Sequence, residues 1–230
     1  MTTQLPNPST EKSYRQQRTA KSAVPDFSFE QALGGIVAGI DEAGRGPWAG
    51  PVHAGAVIFD PAGPPDDLAV LINDSKQLSS RQREELFPRL LAVADCGVGE
   101  ASVDEIDQLN ILGATHLAMA RALDALKQTP DGALVDGNQA PKLPCRVRCV
   151  VKGDSKSLSI AAASIIAKVT RDRLMTALAA GHPGYGWEHN FGYGTKLHQQ
   201  GLACLGVTPH HRRSFKPIRK ILEESIESNT

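Results

Sequence analysis

A chain of 230 residues, 41% apolar and 22% charged, can bury one sizeable core, and its composition excludes a collagen-like, coiled-coil or wholly disordered protein. The formal net charge is zero, which excludes a uniformly basic or acidic chain, but the charge is unevenly placed. Residues 1–140 hold 11 Lys and Arg against 19 Asp and Glu, and residues 141–230 hold 14 against 6, so an acidic centre beside a basic binding surface is expected.

Residues 1–25 are rich in Ser, Thr, Gln, Lys and Arg, with Glu11 their only acid, and read as a disordered N-terminal extension. One domain is expected over residues 26–224, with a flexible tail over 225–230. Residues 35–40 form an apolar run that stops at Asp41-Glu42, a buried strand. Residues 52–59 read as a second strand, followed by a turn-rich stretch over 60–66. Residues 74–90 read as loop and then helix, with Ser79 and Ser80 before a charged, periodic segment. A third strand is expected over 96–103. Ser102 and Glu105 have capping-box spacing, and a long helix is expected over 110–127. Short strands follow over 133–135, ending at Asp136, and over 146–151, ending before Asp154. Residues 159–179 read as a helix with many small residues, able to lie close against a sheet. Strands and helices mix without strict alternation and the first three strands can form a meander, so an α/β fold with a mixed sheet is expected.

The four cysteines, Cys96, Cys145, Cys149 and Cys204, make no C-x-x-C pair and read as buried reduced thiols. No apolar run approaches the roughly 20 residues of a membrane span, and residues 1–25 lack the apolar stretch of a secretory signal. A cytoplasmic protein without membrane contact is expected. No long exposed apolar stripe is evident, which points to a monomer.

Three acidic stops stand out: Asp41-Glu42, Asp136 and Asp154. Carboxylates at the ends of adjacent parallel strands converge and repel, and a hard divalent cation such as Mg²⁺ or Mn²⁺ resolves the conflict. Each acid taken singly fits a turn or a helix cap as well. After Asp41, the glycines Gly44, Gly46 and Gly50 bare the backbone for close approach. A dinucleotide fingerprint is excluded there, because Pro47 and Pro51 interrupt the helix it must open. Residues 152–157 resemble a phosphate loop but lack its spacing.

Together, Asp41-Glu42-Ala43-Gly44-Arg45-Gly46-Pro47, Ala49-Gly50-Pro51-Val52, Asp74-Ser75-Lys76, Val135-Asp136-Gly137-Asn138, the run from Ile160 to Asp172, Gly192-Tyr193-Gly194-Thr195 with His198, and His211-Arg212-Arg213-Ser214-Phe215 resemble ribonuclease HII. The motifs keep family order from about Gly35 to Pro217. The Gly44-Arg45-Gly46 triplet favours HII over the related HIII type. The resemblance implies a ribonuclease H-like fold, a five-stranded mixed sheet flanked by helices with a helical C-terminal part. It implies an endonuclease that cuts the RNA strand of RNA-DNA hybrids and incises 5′ to single ribonucleotides in duplex DNA, leaving 3′-hydroxyl and 5′-phosphate ends. Asp41, Glu42, Asp136 and Asp154 match the family's metal-binding acids, which hold two Mg²⁺ or Mn²⁺ ions during catalysis. Gly44, Arg45 and Gly46 match the triplet that senses the ribose 2′-hydroxyl, and Tyr193 matches the tyrosine on the following deoxyribose. Lys76, Asn138 and Thr195 are further substrate-binding candidates, and Lys196, Arg212 and Arg213 are candidates for DNA-backbone contact, with a structural pairing with acids an equal alternative for Arg212 and Arg213. Asp172 follows Lys168 at helical spacing and reads as structural, as do His198 and His210. Trp48 and Phe191 depart from the pattern, where a smaller aliphatic residue and a lysine are common. The alternative is a non-catalytic nucleic-acid-binding protein on the same fold, but none of the four acids is lost. A small-molecule phosphatase is disfavoured by the triplet, Tyr193 and the basic C-terminal third.

Overall fold

The computed structural model describes residues 24–227. Expectations for residues 1–23 and 228–230 lie outside the described residues.

Five strands form one mixed sheet: β1 (Val37–Ala43), β2 (Val52–Ile58), β3 (Asp95–Ala101), β4 (Gly132–Asp136) and β5 (Arg146–Val150), in the order β3-β2-β1-β4-β5. The meander is observed, since β1–β2 and β2–β3 pair antiparallel. The pairs β1–β4 and β4–β5 are parallel. Eight helices accompany the sheet among the described residues: α1 (Ser28–Leu33), α2 (Asp66–Ala69), α3 (Ser80–Val93), α4 (Val103–Asp124), α5 (Leu158–Gly181), α6 (Trp187–Asn190), α7 (Lys196–Leu205) and α8 (Lys216–Glu227).

Every residue of β2 is buried, because α4 covers one face of the sheet and α5 the other. On the α4 side, Ala38, Ile40, Ala54 and Ala56 meet Ala114, Ala118 and Ala122. On the α5 side, Val57 packs with Ala161, Ala162, Ala163 and Ile166. The small residues of α5 do let it lie against the sheet. Gly55 faces it so closely that an added Cβ would collide with the Ala163 carbonyl.

Local signals explain the helix starts. Ser79 with Gln82 and Ser102 with Glu105 both form complete capping boxes. The helix expected from residue 110 begins earlier, at Val103, and kinks at Asn110, whose φ is +60°. Asn110 Oδ1 accepts from the amides of Leu112 and Gly113 and so caps the second segment. A second, smaller core joins Ala49, Met175, Tyr185, Trp187, Leu202 and Ile218 and builds the helical C-terminal part. The four cysteines are free, but none is fully buried as expected: Cys96, Cys145 and Cys149 are partly exposed at the sheet's two edge strands, and Cys204 is exposed on the outer side of α7.

Gly55→Ala should destabilise the protein by about 1–3 kcal/mol, since a backbone carbonyl cannot step aside as a side chain can. Urea unfolding with an unchanged m-value checks this; an unaltered midpoint would show that α5 can shift freely.

Candidate active site and metal centre

The sheet register builds the centre. Val37 to Ile40 pairs in parallel with Gly132 to Val135, so Asp41 and Asp136 stand one step further on neighbouring strands. Strand alternation turns both toward the α5 side. The chain then leaves β5, makes a 3₁₀ turn at Gly153–Ser155 and delivers Asp154 to the same edge. Carboxylate oxygens of Asp41, Asp136 and Asp154 lie within 4.8 Å of one another. The strand expected to stop before Asp41 continues to Ala43, because β2 keeps pairing with it through Ala43↔His53.

Glu42 is not part of this trio. It is the next residue on the strand and points to the α4 face, where Arg45 donates to it at 3.2 Å. Asp136 is near enough for its charge to bear on Glu42. Asp41 is held by the Glu42 amide at 2.7 Å, and Asp136 by the Gly153 amide at 2.7 Å.

Burial pushes the Asp41 carboxyl well above the usual range, and the charges of Glu42 and Asp136 push it further. Burial likewise raises Glu42, against the pull of Arg45. Asp154 is raised by burial and by the Asp74 charge. Lys76 Nζ lies 3.2 Å from Asp154 and 3.8 Å from Asp74. Burial lowers the Lys76 ammonium, but Asp154, Asp41 and Asp74 outweigh that and raise it overall. This lysine side chain is 76% exposed, so the pair contributes at most about 1 kcal/mol. Each pair of carboxylates repels by roughly 3 kcal/mol at an effective dielectric near 20. Lys76 therefore cannot neutralise the trio. Clustered hard oxygen donors suit a hard divalent cation, which Asp41, Asp136 and Asp154 could hold.

The other candidates divide into two groups. Gly46 and Tyr193 are brought together: a Cβ on Gly46 would sit 3.4 Å from Tyr193 Cε1, and the ring is 46% exposed. Asn138 is exposed beside Asp136 and lines the small cleft shared by Glu42, Arg45 and His116. Thr195 is exposed but also caps α7, accepting from the His198 amide.

Arg212 corrects an expectation. It is fully buried and cannot touch a DNA backbone. Its guanidinium donates to the carbonyls of Gly44, Arg45, Gly50 and Pro51 at 2.6–3.2 Å. Arg171, equally buried, holds the carbonyls of Ala49, Pro51 and Phe191. Neither burial was readable from the sequence, because nothing local distinguishes Arg212 from exposed Arg213. Lys196 and Arg213 remain on the surface. Asp172 pairs with Lys168 at 2.8 Å and stays out of the trio, as its spacing suggested. His198 and His210 sit in the aromatic cluster around Trp187, consistent with structural roles. Trp48 fills space against Gly194 and the His198 ring. Lys168 Nζ lies 4.8 Å over the Phe191 ring.

The family model for ribonuclease HII matches residues 38–218. The chain belongs to the ribonuclease HII family. It is 61% identical over 199 residues to the ribonuclease HII of Jannaschia sp. (strain CCS1), covering 86% of this chain and 98% of that one. It is 58% identical over 202 residues to that of Gluconobacter oxydans (strain 621H), covering 87% and 97%. The crystal structure of ribonuclease H2 from Pyrococcus horikoshii OT3 is similar, with a TM-score of 0.69 at 33% identity over 82% of this chain and 97% of that one. This is a type HII ribonuclease H, a metal-dependent endonuclease of a family that acts on RNA-DNA hybrids. Its sheet is the ribonuclease H-like sheet expected from the motifs. Among the described residues no helix is long and apolar enough to cross a membrane.

The raised carboxyls give a stability prediction. A carboxyl whose folded pKa is raised stabilises the fold at low pH, and that contribution is lost as pH rises through the folded pKa. At neutral pH the metal-free trio is therefore destabilising. Asp41→Asn should raise the melting temperature in EDTA by about 2–4 °C, equivalent to roughly 1 kcal/mol, and shrink the rise produced by Mg²⁺. Calorimetry with and without the ion checks both; a lowered temperature in EDTA would contradict the repulsion argument.

Proposed function

We propose that this enzyme incises duplex DNA on the 5′ side of a single embedded ribonucleotide, besides cutting the RNA strand of hybrids. The observation that carries the reading is the juxtaposition of three functions at one edge: the aspartate trio, the glycine-bared triplet and the exposed Tyr193 ring over Gly46. Asp41, Glu42, Asp136 and Asp154 would hold two Mg²⁺ or Mn²⁺ ions, which supply an activated water and stabilise the leaving 3′-oxygen, giving 5′-phosphate and 3′-hydroxyl ends.

The protein's own groups set the specificity. The 2′-hydroxyl is both donor and acceptor and alone distinguishes RNA from DNA at one position. Exposed Gly46 offers backbone polar groups to it without a Cβ in the way, and exposed Arg45 flanks it, while Gly44 lies buried against Arg171 and holds the segment's shape. The Tyr193 ring packs on the next sugar, where a further 2′-hydroxyl would disturb the contact, so an RNA-to-DNA step is favoured. Lys76 lies beside Asp154 with its amine mostly in solvent, placed to donate to a phosphate oxygen. Asn138 and Thr195, both exposed, would hold the nucleic-acid backbone. The enzyme acts as a monomer in the cytoplasm.

A labelled duplex carrying one ribonucleotide, incubated with Mg²⁺, should be nicked 5′ to it. Asp154→Asn should lower the rate at least about 100-fold, a loss of roughly 3 kcal/mol of transition-state stabilisation. An intact duplex with both Mg²⁺ and Mn²⁺, while the protein still binds it, would replace this reading with binding alone.

A further inference from the structure

Two arms of the site come from distant parts of the chain. The Gly44–Pro51 segment links β1 to β2, and Tyr193 precedes α7. Both arms are tied to the same two consecutive residues, His211 and Arg212. Ala49 and His211 form an antiparallel bridge. The Gly50 amide donates to the His210 carbonyl and the Arg212 amide to the Trp48 carbonyl, each at 2.8 Å. Arg212 then spends its guanidinium on four carbonyls of this segment, including those of Gly44 and Arg45. A carbonyl held inward leaves the neighbouring backbone fixed in orientation.

His211 reaches the other arm through a chain of hydrogen bonds whose direction is set by its first link. The Thr208 amide donates to His211 Nδ1 at 2.9 Å, so that nitrogen is an acceptor and the proton of the neutral ring sits on Nε2. Nε2 lies 3.0 Å from His198 Nε2, which must accept. Trp187 Nε1, a donor only, also points at His198 Nε2, at 3.2 Å. His198 therefore carries its proton on Nδ1, 3.0 Å from the Tyr193 carbonyl, and donates to it. Both rings are buried. Burial pulls His211 down to about 4, and His198 is lowered for the same reason, so both stay neutral at physiological pH.

We infer that His211 and Arg212 are positioning residues that set the spacing between the Gly44-Arg45-Gly46 backbone and Tyr193, and thereby the preference for an RNA-to-DNA junction. Neither touches the acids or is exposed to substrate. This inference rests on the junction-reading function proposed above.

The test compares kcat/KM on a duplex with one ribonucleotide and on a uniform RNA-DNA hybrid. His211→Ala should lower the junction-to-hybrid ratio about ten- to a hundredfold, the scale of a misplacement near 1 Å. The melting shift on adding Mg²⁺ should stay unchanged. His211→Gln, which returns a donor near the Nε2 position, should recover part of the ratio. In a Tyr193→Ala background His211→Ala should change the ratio little further, because the two act in series. An unchanged ratio in His211→Ala, or full additivity with Tyr193→Ala, overturns the inference while leaving junction cleavage intact. A wild-type enzyme that cuts the hybrid but not the single ribonucleotide overturns both. Should His211→Ala not fold, ¹⁵N histidine spectra of the wild type decide the relay. The Nε2-protonated tautomer at His211 and the Nδ1-protonated tautomer at His198 are expected, and either opposite tautomer overturns it.

Discussion

The parallel pairing of β1 with β4 is the constraint on which the centre depends. It sets Asp41 beside Asp136 on one face, and no rotation of either side chain can carry the charges far apart. Strands that repel at one edge must be held elsewhere. The close contact of α5 with β1 and β2 does this, because backbone at Gly39 and Gly55 meets helix backbone with no side chain between. The sheet cannot splay without losing that contact. Asp154 arrives by a different route, on a short turn whose Gly153 amide is bonded to Asp136. Two of the three acids are thus positioned by the sheet, and the third is fastened to one of them.

The second core is joined to the first through the segment between β1 and β2. Its helices contribute no acid to the trio. They carry Tyr193, and through Arg171 and Arg212 they grip the segment between β1 and β2. Buried guanidinium groups are costly unless every face is satisfied. Here they are satisfied by carbonyls, and neither makes an ion pair within 4.0 Å among the described residues. Burial accordingly pulls Arg212 down to about 9, helped by the Arg171 charge, yet both remain cationic at neutral pH. Their positive charge sits behind the segment between β1 and β2.

The strands and the acids were legible in the sequence because their signals are local. An apolar run that stops at a carboxylate marks Asp41 and Asp136, a strand that ends shortly before it marks Asp154, and capping-box spacing marks Ser102. The adjacent placement of Glu42 was also readable, but its turn to the opposite face follows from strand continuation to Ala43, which no residue in the run announces. The kink at Asn110 was missed, since a mid-helix Asn reads as a weak helix former until its φ of +60° is seen. Arg212, read either as a phosphate contact or as a partner of acids, is neither, and for a deeper reason. A basic residue in a basic third of the chain looks like a phosphate contact, and only tertiary packing reveals that its partners are carbonyls more than 160 residues away.

The two parts of the site also respond differently to protons. Metal binding requires the acids to be ionised, and burial raises the Asp41 carboxyl, so acid competes directly with the cation. Burial pulls His211 down to about 4 and lowers His198 too, so the His211–His198 relay is neutral at physiological pH. Acidification from neutrality therefore acts on cation binding through Asp41, and on the relay only where it overcomes the burial of two histidines.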